Sequence, residues 1–136
     1  RAYIWSYGLE TFQKSPVIRK IFGWGPDCYG YAVYKTVGER IIQTWPEDNY
    51  VGSAHNEIIQ YLITTGILGA VSYIGVYLLS IMDNSTHDNV YGMAAKTAIF
   101  AYFCQALGNN PASINYGMLF VMFAIAGSGR IKEDCE

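Results

Sequence analysis

IIQYLITTGILGAVSYIGVYLLSIM, residues 58–82, runs without a single charged side chain. As one helix of 25 residues, rising about 1.5 Å per residue, it would reach roughly 37 Å, enough to cross a hydrocarbon core of about 30 Å with some tilt. The stretch therefore predicts one transmembrane helix. Downstream, residues 97–126 form a second apolar tract, interrupted by Asn109, Asn110 and Pro111. Amides and a helix-breaking proline are costly in lipid and mark a turn near the surface. The tract divides into two short antiparallel helices, 93–107 and 114–127. Between residues 58 and 129 the only charges are Asp83, Asp88 and Lys96. Such a segment cannot cover its own surface in water. The expected fold class is all-α: a fragment of a polytopic membrane protein, with an extracytoplasmic helical loop and about three transmembrane helices.

The remaining charges lie almost entirely in residues 1–57 and 130–136. The net charge of −2 is too balanced for a nucleic-acid footprint, so no nucleic-acid partner is expected. The chain opens at Arg1 with no initiator Met and no basic, apolar leader, as a piece cut from a longer protein would. The remaining transmembrane helices of that protein are then expected partners, together with the lipid bilayer. Cys28, Cys104 and Cys135 are too few and too scattered for a disulfide framework or a clustered metal site, and are read as free thiols.

Flanking cations set the orientation. Arg130 and Lys132 follow the last apolar helix, while the turn at 109–115 has none, which points the C-terminal tail to the cytoplasm. Three crossings back, residues 1–57 face outward. Their six cations run against a simple count, but long loops are largely exempt from it. The expected partition is an extracytoplasmic loop with short helices (1–57), a transmembrane helix (58–82), a cytoplasmic turn (83–92), a transmembrane hairpin (93–127) and a cytoplasmic tail (128–136).

Within the loop, Ile4, Trp5, Leu9 and Phe12 follow helical spacing until Ser15-Pro16 stops them. An amphipathic helix lying against the membrane fits, with Trp5 at headgroup depth. Phe22-Gly23-Trp24-Gly25-Pro26-Asp27 is a glycine-rich turn without the GK[ST] ending of a phosphate-binding loop. Asp27 is a candidate cap for a helix over 28–40, residues 44–53 read as a loop, and Ser53 is a candidate cap for the long helix.

His55 is the leading candidate for chemistry, placed in the first turn of the long helix where water meets lipid. His55, Ile59, Leu62, Gly66, Gly69 and Tyr73 share one helical face, and Gly66 and Gly69 would admit a close neighbouring helix. Spacing alone leaves two roles open: a catalytic imidazole held over a cleft, or a helix-end group bonded to a loop carbonyl. Glu57 falls on another side of the helix and is read as a surface residue. His55-Asn56-Glu57 is not HExxH, so no metal site is expected. His87 reads as a solvated loop residue, and the twelve tyrosines mainly as interfacial belts.

Ser53-Ala54-His55-Asn56-Glu57, leading on through Gly66 and Gly69, resembles the signature of the O-antigen ligase family, which includes related bacterial polysaccharide polymerases. In that family a His is followed by Asn, Ser or Gln, then nine residues, Gly, two residues and usually Gly; His55, Asn56, Gly66 and Gly69 match in full. Arg1-Ala2-Tyr3-Ile4-Trp5 resembles the segment where an arginine begins the large extracytoplasmic loop, and Gly23-Trp24-Gly25 resembles that loop's Gly-x-Gly. The resemblance implies a multi-pass glycosyltransferase of the bacterial inner membrane, with residues 1–57 facing the periplasm or cell exterior. It implies transfer of a glycan from undecaprenyl diphosphate to an acceptor sugar hydroxyl, with no cofactor and no required metal. The implied partners are a polyprenyl-diphosphate-linked glycan and an acceptor glycolipid or glycan. For this chemistry Arg1 is the candidate cation on the diphosphate, with Arg19 and Arg40 as weaker substrate-binding candidates. His55 is either the base for the acceptor hydroxyl or a hydrogen-bond donor to the diphosphate. Asn56 orients His55 or the sugar, or caps the helix. The competing readings are an O-antigen or exopolysaccharide polymerase of the same superfamily, and a non-catalytic transporter or scaffold segment. Residues 58–82 carry no mid-membrane ionisable group, which counts against transport.

Overall fold

A computed structural model of the chain describes residues 2–44, 51–83, 89–109 and 113–133. These residues form seven helices and no strand: α1 (Ala2–Lys14), α2 (Val17–Phe22), α3 (Tyr29–Thr44), α4 (Glu57–Thr64), α5 (Gly66–Met82), α6 (Val90–Ala106) and α7 (Ser113–Glu133). The all-α expectation holds. Arg1, His87, Cys135 and the Asn110-Pro111 part of the expected turn lie outside the described residues, as does most of the 44–53 loop. The chain divides into two compact units, Arg1–Tyr73 with Leu107–Pro111, and Ile74–Ala106 with Ala112–Glu136.

The first unit is built on α1, α3 and α4. Tyr7, Tyr29, Val33, Ile41 and Ile63 are buried at its centre, each such side chain contributing about 1.5–3 kcal/mol by leaving water. α1 and α3 run antiparallel, joined by hydroxyl pairs: Tyr7 Oη with Thr44 Oγ1 at 2.6 Å and Thr11 Oγ1 with Thr36 Oγ1 at 2.7 Å. The expected helix over 28–40 forms and runs on to Thr44, kinked at Val37 (φ −135°, ψ 17°). Burial raises the pKa of the Tyr29 phenol, because the phenolate would lose its hydration. α1 ends where expected, at Ser15-Pro16, with the Ser15 hydroxyl donating to Thr11 O at 2.7 Å.

The placement of α1 is a correction. Ile4, Trp5 and Phe12 pack against the protein's own core, so Trp5 faces inward rather than toward headgroups. Its indole N–H is buried and has no hydrogen-bond partner among the described residues. The sequence pattern is amphipathic either way; a core built by α3 and α4 takes the apolar side.

A second correction concerns residues 58–82, which form two helices rather than one. α4 stops at Thr64, and α5 begins at Gly66 with φ +72°. What remains of the apolar run in α5 is 17 residues, about 25 Å at helical rise. α6 is also 17 residues, and α7 ends in the polar run Ser128 to Glu133, part of the segment expected as a tail. Among the described residues no helix is long and apolar enough to cross a membrane.

In the second unit α6 packs along α7. Tyr77 of α5 is buried among Tyr102, Phe103 and Phe123, with ring centroids 6.3, 5.1 and 5.4 Å away. Ala95, Ile99, Leu119 and Ala126 complete the buried set. Lys96 donates to the Asp83 carbonyl at the helix end. Leu79, Phe100, Met118 and Phe120 point outward.

Candidate functional site

The site grows from the start of α4. Asn56 is the cap: its backbone is extended (φ −160°, ψ 116°) and its Oδ1 accepts the Ile59 N–H at 3.1 Å. This satisfies one of the orphan donors that every helix start carries, so Asn56 takes the capping place expected of Ser53. The same amide donates from Nδ2 to Leu107 O at 2.7 Å. Two residues earlier, Ala54 is fully buried and its N–H donates to Gln60 Oε1 at 2.9 Å.

His55 lies between these two fixed points. It precedes α4 instead of sitting in its first turn, with a left-handed backbone (φ +51°) and a half-buried side chain. For a residue with a Cβ that conformation costs of order 1–3 kcal/mol, and it persists only where the surroundings hold it. Here the hydrogen bonds on either side do so. The common helical face drawn through His55, Gly66 and Gly69 does not exist, since His55 precedes α4 and Gly66 is the break.

Glu57 is the residue that sequence reasoning misplaced. Only 1% of it is exposed, and its Oε2 accepts the Tyr73 hydroxyl at 2.6 Å. Tyr61 stacks on Tyr73, centroids 4.5 Å apart. A carboxylate at a helix start is favoured by the helix dipole, but its rotation toward the interior depends on where the core lies, which spacing on α4 does not reveal.

The glycine motifs meet at the α4–α5 break. Trp24 N–H donates to Ile63 O and Gly25 N–H to Thr64 O, both at 2.9 Å. Gly23 (φ +79°) and Gly66 (φ +72°) both adopt conformations suited to glycine. A Cβ on Gly23 would overlap Thr64 O, and one on Gly66 would overlap Ile21 O. Gly66 thus serves close backbone approach, as expected of it, but to the end of α2 and at a break. Gly69 sits over the Thr65 side chain of its own chain segment.

The other cations are held elsewhere. Arg19 lies 5.4 Å over the Trp24 ring and donates weakly to Gly23 O at 3.4 Å; the Trp24 indole donates to Ser15 Oγ at 2.9 Å. Lys35 approaches the same ring at 5.7 Å. Arg40 pairs with Glu10 and lies 5.5 Å over Tyr7. Neither arginine's partners include His55. A hydrogen bond from Lys14, 2.8 Å away, and the charge of Arg40 keep the Glu10 carboxyl below its ordinary pKa. Cys28 and Cys104 are free thiols.

A family model described as O-Antigen ligase matches residues 1–74. The match takes in α1 to α4, the start of α5, and Arg1, Arg19, Arg40, His55, Asn56, Gly66 and Gly69. No curated protein and no solved structure matches the chain.

Proposed function

Because the chain belongs to the O-antigen ligase family, a membrane family that joins or extends glycans, we propose that it is part of a glycosyltransferase that draws on a polyprenyl-diphosphate-linked glycan. The acceptor sugar hydroxyl attacks the anomeric carbon as the bond from that carbon to the diphosphate oxygen breaks. The bonding pair leaves with undecaprenyl diphosphate, and the hydroxyl proton passes to the His55 imidazole. Residues 1–57 face the periplasm or cell exterior, where the lipid-linked donor is presented. Arg1 is the cation proposed for the charge developing on the leaving oxygen, which a planar guanidinium matches with two donors. Arg19 and Arg40 support that role less, being engaged by Trp24 and by Glu10.

The observation that carries the reading is the left-handed His55 backbone, gripped from Ala54 on one side and Asn56 on the other. The test is His55→Ala in the complete protein, assayed for glycan transfer in membranes. Transfer falls by about 100-fold or more, while the amount of protein integrated in the membrane is unchanged. Transfer at the parental rate would reject His55 as the base.

A further inference from the structure

α2 is a six-residue helix with no buried residue. At about 100° per residue, Val17, Ile21, Ile18 and Phe22 fall near 0°, 40°, 100° and 140°, while Arg19 and Lys20 fall near 200° and 300°. The helix therefore has an apolar arc and a cationic arc. The apolar arc is uncovered: Val17 is 71% exposed, Ile18 60%, Ile21 37% and Phe22 61%. No acidic residue lies between Glu10 and Asp27. The mount is rigid as well. Pro16 fixes the entry, Gly23 N–H closes the last turn on Arg19 O at 2.8 Å, and the next residue, Trp24, is bonded to Ile63 O.

We infer that α2 anchors the first unit to the bilayer surface, its apolar arc entering the acyl-chain border while Lys20 meets anionic phospholipid headgroups. Two features favour lipid over a protein groove. The cations occupy the arc opposite the apolar one, so a partner satisfying both must be apolar in its depth and anionic above it. Long cationic side chains reach back to such a headgroup layer while their stems stay with the apolar residues. A protein groove would take the apolar arc and leave the cations without a counter-charge. The inference is independent of what His55 does, so a failed catalytic test leaves it standing.

The experiment uses the complete protein in nanodiscs, with Cys28, Cys104 and Cys135 replaced by Ser and an environment-sensitive fluorophore placed through Phe22→Cys. A second label through Ile18→Cys guards against a local effect; both positions are exposed, so neither substitution disturbs packing. In discs containing phosphatidylglycerol, emission is blue-shifted and is quenched by nitroxide lipids labelled high on the acyl chain. Lys20→Gln weakens that lipid contact about five-fold, as loss of one surface cation should. Water-like emission overturns the inference. Blue emission without lipid quenching overturns it too, in favour of a protein partner, and quenching indifferent to headgroup charge overturns the anionic partner.

Discussion

The two units use apolar residues in opposite ways. In the first, tyrosines and branched aliphatics turn inward onto a common core, and polar side chains tie helix to helix through Tyr7–Thr44, Thr11–Thr36 and Glu57–Tyr73. In the second, a thin line of alanines, Ile99, Leu119 and Tyr77 is buried, while Leu79, Phe100, Met118 and Phe120 face outward. Charge follows the same division, dense in residues 1–57 and nearly absent from 58 to 129. The difference teaches that the first unit, α2 apart, makes its own interior, whereas the second leaves many of its large apolar side chains outward. An exposed apolar face of that extent suits an apolar surrounding better than water.

The sharpest way to break the comparison is at the joint of the first unit. Gly66→Val or Gly23→Val places a side chain into backbone atoms at a positive φ, and should cost more than about 4 kcal/mol. Rapid proteolysis of the first unit and loss of cooperative melting in detergent would record it; a normal melt would mean the two backbones can separate freely. Adjacent positions in α6 probe the second unit. Ile99 is fully buried and Phe100 is 54% exposed, so Ile99→Ala should cost about 2–5 kcal/mol and Phe100→Ala within about 0.5 kcal/mol. Equal losses would show that the outward face is already covered. Tyr73→Phe removes one donor from a buried carboxylate and should cost about 1–3 kcal/mol, measured by denaturant titration.

The smallest effect is expected at Glu10. Its folded pKa is lowered, so the stabilisation is present above the unfolded value and is lost as pH falls through the folded one. Exchanging Lys14 and Arg40 for Gln should flatten the acid limb of the stability profile slightly, as suits a surface pair. A steeper limb would contradict the assignment.

Much of this was legible in residue order. The helical class, the end of α1 at Ser15-Pro16, the helix from Cys28 onward and the separation of α6 from α7 all follow from local signals. So does the capping role of Asn56, one of the readings its position left open. The break at Thr65-Gly66 was not legible, because composition there is uniformly apolar and the cause is a loop forty residues away. The Trp24 and Gly25 amides take the carbonyls of Ile63 and Thr64, and no periodicity within 58–82 records that. The burial of Glu57 and the inward turn of Trp5 escaped for the same reason. Spacing tells which residues share a face, and only the assembled neighbours decide which way that face looks.

In an unbroken helix the oxygens of Ile63 and Thr64 would belong to the amides of Ile67 and Leu68; here they are already spoken for by the glycine turn. Straightening α4 and α5 into one rod therefore requires the turn to release its grip first. Bend and loop behave as a mortise and tenon, and neither piece can be reshaped while the other stays seated.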